Sequence, residues 1–482
     1  MNKSKTQSNL MVEWKDINWR KTQRLTFKLQ KRIFRASERG DVKAVRKLQK
    51  TLIRSRSARA IAVRKVTQDN QGKKTAGVDG IKKLTPKQRL TLTNGLNVTG
   101  KSKPTRRVMI PKSNSDELRP LGIPTMEDRA LQTLVKQALE PEWEARFEPN
   151  SYGLFRSSCH DAIESIFNSI KQKAKYVLDA DISKCFDRIN HKALLKKINT
   201  YPTLSRQIKS WLKAGVIDQE VFLPTYEGTP QGGTISPLLA NIALHGMEKR
   251  IKEYASTLKG IKMHNQKALS LTRYADDFVI IHENLDVIKD CQNIIEEWLS
   301  DMGLELKPSK TKLTHTFETY EGETGFEFLG FHIQQHKVGN YRAAKNTKGN
   351  KLGFKTLIKP SKKKVKAHLR HISEVIEAHK TAPQAALISK LNPIIRGWSN
   401  YYSSVISQEI FSKLDHLVYE KLRAWASYRG KNGQINIDKY WRTVGNRNWC
   451  FCTEDGMELK THASTPIVRH IKVKGKASPY NG

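Results

Sequence analysis

The stretch Arg273-Tyr274-Ala275-Asp276-Asp277-Phe278-Val279-Ile280-Ile281 decides how this chain folds. Val279, Ile280 and Ile281 are contiguous, apolar and β-branched, the mark of a buried strand. Leu269 to Tyr274 supplies an antiparallel partner. The short link Ala275-Asp276-Asp277 then sets two carboxylates at a hairpin tip. Unpaired charge beside a buried strand is costly, so the acid pair points to a cation site, with Mg²⁺ the first choice. The alternative is a solvated Asp-Asp turn, and the surrounding sequence has to choose.

Working outward, Tyr176 to Ile182 reads as a second strand with Asp179 and Asp181 on one face. Ser183 to Asp187 turns it into a helix around His191 to Ile198. An acid ending a core strand before such a turn is well placed for a ligand. Phe186 would lie near whatever Asp181 binds, or else simply pack. Gly228 to Pro237 holds three glycines, two prolines and Gln231, a tight loop that lets backbone approach a ligand. A helix is expected after it, over Leu238 to Arg250. Arg106 to Lys112 and Leu118 to Ile123 form a β-hairpin whose flanking Lys112 and Arg119 can meet a phosphate chain or backbone. Asp181, Asp276 and Asp277 are enough acids for two Mg²⁺ ions, because Mg²⁺ takes few carboxylates and completes its shell with phosphate oxygens. The residues by themselves therefore point to nucleotidyl transfer.

The rest of the chain supports a nucleic-acid partner. It has 86 Lys and Arg against 46 Asp and Glu, a net charge of +40. Such self-repulsion is offset by a polyanion. Residues 331–370 carry no acid at all and read as a basic hairpin or arm. Residues 20–66 read as two basic helices separated at Gly40-Asp41, and residues 91–104 as a polar loop. Thr125 opens a helix that Pro141 is expected to stop. Residues 159–173 and 285–301 read as amphipathic helices, and Phe326 to Ile333 as one aromatic strand with Gly330 inside it. Residues 387–406 and 412–428 are helical, with Gly430 a C-cap. Nothing approaches the length of an apolar membrane span, and no membrane partner is expected. The five scattered cysteines read as reduced thiols of a cytoplasmic protein.

In its ordered motifs the chain resembles the reverse transcriptase–maturases encoded by group II introns. These motifs are GVDG at 77–80, RRVMIPK through LRPLGIPTMEDRALQ at 106–132, and LDADISKCFDRI at 178–189. They continue with EGTPQGGTISPLLANI at 227–242, YADD at 274–277, LELKPSKTKL at 304–313, FEFLGF at 326–331 and LNPIIRGWSNYY at 391–402. The resemblance implies an α+β right-hand polymerase: fingers, a palm with an antiparallel sheet, a helical thumb or maturase domain, and a small basic DNA-binding region. The boundaries expected are 1–74 for a basic helical extension, 75–345 for fingers and palm, 346–430 for the thumb and 431–482 for the DNA-binding region. It makes Asp181, Asp276 and Asp277 the catalytic ligands of two Mg²⁺ ions, and Lys112, Arg119, Phe186 and Gln231 the dNTP contacts. Phe328, Leu329 and Gly330 become the primer grip, and Arg106, Arg107, Lys310, Lys362, Lys363 and Lys364 nucleic-acid contacts.

The implied activity is RNA-directed DNA synthesis, with a second role in binding the parent intron RNA for splicing and retrohoming. Implied partners are that RNA, an RNA template with a DNA primer, dNTPs and target DNA. The implied setting is a bacterial-type ribonucleoprotein at the nucleoid, with an organellar origin also open. Two departures stand out. Ser151 to His160 is one residue shorter than the family's usual run, and no Cys/His cluster of an HNH endonuclease follows, so second-strand cleavage is not expected. Rival readings are a splicing cofactor with a relict palm, a reverse transcriptase recruited to spacer acquisition or phage defence, and a plain DNA polymerase.

Overall fold

The structure is a computed structural model that describes residues 13–111, 117–153, 158–339, 341, 343–430, 437–473 and 477–481. Helices α1 (Trp19–Glu38), α2 (Val42–Arg54) and α3 (Arg56–Arg64) open the chain. The sequence reading of two helices there is corrected to three. Ser55, extended at φ −67° and ψ 122°, breaks the second pattern. The expected loop at 91–104 is in part helix, because Thr85 and Gln88 form a capping box in front of Pro86 and start α4 (Pro86–Gly95).

The fingers hairpin is β1 (Thr105–Pro111) against β2 (Leu118–Ile123). Next comes α5 (Met126–Arg146), N-capped by Thr125. It runs through Pro141 instead of stopping there. Proline removes the bond to the carbonyl four residues back, and Gln30 of α1 donates its Nε2 to that carbonyl, Gln137 O, at 3.1 Å. Gln49 of α2 does the same for Ala138 O at 3.2 Å. The partners that rescue the helix lie about a hundred residues away, out of reach of a local reading.

The palm follows with β3 (Ser151–Tyr152), α6 (Cys159–Ile170), β4 (Tyr176–Asp181), the one-turn α7 (Cys185–Arg188), α8 (His191–Ile198) and α9 (Pro202–Leu212). The short strands β5 (Val216–Asp218) and β6 (Val221–Leu223) extend the fingers sheet to the order β2-β1-β5-β6. The helix expected over Leu238 to Arg250 is two helices, α10 (Ser236–Leu244) and α11 (Met247–Ala255), because Gly246 takes φ +102° between them. After α12 (Lys262–Ala268) come β7 (Ser270–Tyr274), β8 (Asp277–His282), α13 (Leu285–Ser300) and β9 (Lys312–His315).

The palm sheet has the order β3-β7-β8-β4-β9, antiparallel except for β3 on β7. Its two faces pack against different cores. Phe278 and Ile280 join a core with α8, α10, α11 and α13, while Val279 and Ile281 face α6 and the strands that follow. Covering on both sides is why β8 is continuously apolar.

Phe326 to Ile333 is corrected from one strand to a two-residue hairpin. β10 (Phe326–Phe328) turns at Leu329 (φ +51°) and Gly330 (φ +83°) into β11 (Phe331–Lys337). Positive φ at both central residues matches the twist of the flanking strands. β12 (Phe354–Pro360) pairs antiparallel with β11, forming the hairpin expected from the acid-free stretch and joining residues on both sides of 345. Three helices stand where the thumb is expected and are called the thumb helices for their place in the chain: α14 (Lys362–Ala378), α15 (Gln384–Tyr402) and α16 (Gln408–Tyr428). Gly430 follows α16, its amide donating to Ser427 O at 3.1 Å.

The short α17 (Ile437–Tyr440) and the hairpin of β13 (Trp441–Val444) with β14 (Arg447–Phe451) pack on the thumb core. The chain then crosses back over the molecule. His462 donates its Nδ1 to Asp415 Oδ1 (2.7 Å), and the Val468 amide donates to Ser403 O (2.9 Å). The His470 Nε2 and the Val473 amide both donate to Asp161 Oδ1, each at 2.9 Å. Tyr480 is buried near Phe27 and Phe34 of α1, ring centroids 5.7 and 5.5 Å away. This strap links thumb, palm and N-terminal helices. Among the described residues no helix is long and apolar enough to cross a membrane.

Candidate active site

The β4–β8 register sets Asp181 directly opposite Asp277, and the β7–β8 turn sets Asp276 beside them. Like charges facing each other across strands destabilise a sheet. The cost shows in the carboxylates themselves. Burial, then repulsion from Asp276 and Asp181, pushes Asp277 up to about 7. Asp276 is raised for the same reasons, burial first. Asp179, two residues back on the same strand face, is also pushed up to about 7 by burial and then Asp277. Lys310 answers part of this charge, its Nζ 2.5 Å from Asp181 Oδ2.

Among the described residues no three His, Cys, Asp or Glu side chains close on one another tightly enough to cage an ion. The donors fit an open divalent site all the same. They are hard oxygen ligands at the edge of a cleft with room for a phosphate-bearing partner to finish the shell.

That cleft holds about 900 Å³ and is lined by Arg107, Arg119, Phe186, Gln231 and Lys310 as well as the three acids. The loop at 228–233 is locked to its neighbours. The Gly228 and Thr229 amides donate to Ile189 O (2.8 Å) and Phe186 O (2.5 Å). A Cβ at Gly228 would fall 2.6 Å from Asp187 O, so only glycine fits there. The Gly122 amide of β2 donates to Gln231 O at 2.6 Å, tying the loop to the fingers. The Gln231 side chain donates to both Asp187 oxygens (3.0 and 3.2 Å), which fixes its amide at the rim. Asp187 went unassigned in the sequence reading.

Other expected contacts lie elsewhere. Arg106 turns away from the cleft and donates its Nε to Ala76 O at 2.9 Å. Lys112 lies outside the described residues. Phe328, Leu329 and Gly330 form a hairpin tip held by the thumb: the Tyr401 hydroxyl donates to Leu329 O (3.0 Å) and the Tyr402 hydroxyl to Gly330 O (3.2 Å). Lys362, Lys363 and Lys364 are exposed in the first turn of α14, next to that tip. The two tyrosines were also missed, since nothing local marks hydroxyls that reach 72 residues back.

Comparison with known proteins agrees with the geometry. Residues 110–333 match the reverse transcriptase (RNA-dependent DNA polymerase) family, residues 14–96 the N-terminal domain of reverse transcriptase, and residues 365–443 the group II intron maturase-specific domain. Protein YkfC of Escherichia coli is 33% identical over 309 residues, covering 56% of this chain and 78% of that protein.

The chain belongs to the group II intron reverse transcriptase–maturase family.

Group II intron-encoded protein LtrA of Lactococcus lactis is 29% identical over 388 residues, 66% of this chain, which spans 63% of LtrA's length. Maturase-like protein 1 of Euglena gracilis is 26% identical over 430 residues, 87% of this chain and 83% of that one. An apo telomerase of Candida tropicalis superimposes at a TM-score of 0.37 with 15% identity, over 48% of this chain and 53% of that one, too slight a likeness to argue from. Family membership carries a reverse transcriptase fold, a maturase domain, divalent-metal dependence, and binding of intron RNA and template–primer.

Proposed function

We propose that the cleft performs RNA-directed DNA synthesis with Mg²⁺ as the working cation, and that the same chain binds its intron RNA to promote splicing and retrohoming. The observation that carries this reading is the convergence of Asp181, Asp276 and Asp277 on a cleft already furnished with Arg119, Phe186 and Gln231. The three aspartates hold the cations. When bound, such ions activate the primer 3′-hydroxyl and neutralise charge on the departing pyrophosphate.

The other side chains bind and sort. Arg119 meets the dNTP triphosphate, and the sequence resemblance assigns Lys112 to the same role. Phe186 lies under the incoming sugar and leaves no room for a 2′-hydroxyl. Gln231, braced by Asp187, sits beside the nascent pair. The hairpin tip Phe328-Leu329-Gly330 grips the primer end, and Tyr401 and Tyr402 carry thumb position to that tip. Arg107, Lys310 and the lysines of α14 follow the nucleic-acid backbone, whose sequence is copied by base pairing. We assign residues 1–74 and 346–430 to intron RNA contact, 75–345 to the polymerase and 431–482 to target DNA.

The test is extension of a DNA primer on an RNA template by the full chain, with and without EDTA. Chelator-sensitive synthesis is expected. A well-folded chain that adds no nucleotide would overturn the reading.

A further inference from the structure

Arg273 precedes the Tyr-Ala-Asp-Asp turn and is almost wholly buried, 1% exposed. Its guanidinium donates in three directions: to Asn241 Oδ1 of α10 (2.9 Å), to Ser151 Oγ of β3 (2.5 Å) and to Ala275 O in the turn itself (2.9 Å). Among the described residues no carboxylate lies within ion-pair distance of it. A buried cation without an ion pair is costly and needs a return elsewhere. The charges that favour it include Glu148, Glu248 and, in the turn it braces, Asp276.

Ala275 is the second observation. It holds φ +56°, a left-handed conformation that only glycine adopts without strain. That conformation turns the chain so that Asp276 lines the cleft and Asp277 falls opposite Asp181. A strained residue persists only where its surroundings over-determine it. The Ala275 amide donates to Tyr152 O at 3.3 Å, and its carbonyl accepts from Arg273. The turn is therefore pinned at both ends, to β3 through the amide and to β3 and α10 through one guanidinium.

We propose that Arg273 is a positioning residue for nucleotidyl transfer: it holds the strained Ala275 turn in the one shape that gathers Asp276 and Asp277 with Asp181. Arginine is required because a planar fork reaches three acceptors in fixed directions, whereas a lysine ammonium on a flexible stem cannot hold all three. Asn241 and Ser151 orient the fork, so α10, which follows the loop bearing Gln231, and β3 are linked to the metal-binding turn through it.

This proposal rests on the polymerase reading of the cleft. The experiment compares wild type, Arg273→Lys and Arg273→Gln in the full chain. Three readouts are taken: primer extension on an RNA template as kcat and dNTP KM, Mn²⁺ bound per chain by electron paramagnetic resonance in the presence of primer–template, and intron splicing. Both variants are expected to keep splicing, to lose kcat by about 10–100-fold with dNTP KM within about threefold, and to need roughly tenfold more Mn²⁺ for half occupancy. Wild-type kcat and Mn²⁺ affinity in a folded Arg273→Gln would overturn the proposal, and so would a loss confined to KM. If wild type itself makes no DNA, the polymerase reading fails first. Should the Arg273 variants not fold, Asn241→Ala and Ser151→Ala each remove one anchor and leave the cation in place. Each is expected to weaken Mn²⁺ binding by a few fold, and unchanged binding in both would overturn the proposal.

Discussion

Asp277→Asn should make the metal-free protein more stable while ending DNA synthesis. The Asp277 carboxyl is pushed from its ordinary 3.8 up to about 7 by burial and by Asp276 and Asp181. At about 1.4 kcal/mol per unit, a shift of about three units sets a ceiling of about 4 kcal/mol. Solvent screening at an open cleft reduces this to about 1–2 kcal/mol. The sign follows from the raised value. Below about pH 4 the carboxyl is protonated both folded and unfolded, and it costs nothing. As pH rises from 4 to 7 the unfolded chain ionises freely while the folded one resists, so wild type loses stability over that window and the loss is constant above 7. Asparagine carries no such cost, and its amide can donate to Asp181. The assay is thermal melting in EDTA from pH 5 to 8. The variant should melt about 1–2 °C above wild type at pH 8, by a margin that shrinks toward pH 5 and closes when a divalent cation is added to wild type. A variant no more stable than wild type at pH 8, or one whose advantage ignores pH, would refute the crowding of the three acids.

Further outcomes follow from individual contacts. Phe186→Ala should admit ribonucleotides, raising the rNTP to dNTP ratio of kcat/KM by about tenfold or more; single-nucleotide incorporation measures it. Gly232→Ala should cost about 2–4 kcal/mol, because Gly232 holds φ +118° and a Cβ there would fall 2.8 Å from Gly122 O; urea unfolding reads the loss. Tyr480→Ala should cost about 2–4 kcal/mol by removing a buried ring from beside Phe27 and Phe34, with one-nucleotide addition unchanged. Equal stability would mean that the strap does not hold there.

The parts legible in the sequence were those fixed by local periodicity and turn chemistry. The β-branched run after Asp277 and the alternation of Asp179 and Asp181 are enough to draw two palm strands and to aim the acids. The glycines and prolines around Gln231 mark a close-approach loop. What escaped depends on partners distant in the chain. Pro141 reads as a stop because Gln30, the donor that rescues its helix, lies 107 residues before the Gln137 carbonyl it meets, in another helix. Leu329 reads as a strand residue because nothing in its type marks a positive φ, and the hairpin is held by tyrosines from the thumb. Arg273 reads as one more cation of a basic chain, and only its burial and its three acceptors separate it from the surface lysines. The final basic residues read as a DNA-binding tail, and nothing local shows that His470 and Tyr480 within it also reach back to Asp161 and to the rings of Phe27 and Phe34.

The most direct measurement of the central claim is DNA synthesis and intron splicing by Asp276→Asn beside wild type, in one ribonucleoprotein preparation. Synthesis should fall by at least about a thousandfold while splicing stays near wild type, as the proposed assignment of the acids to nucleotidyl transfer and of the maturase role to other surfaces requires. Equal synthesis by the variant, or loss of both activities from a folded protein, would contradict the account.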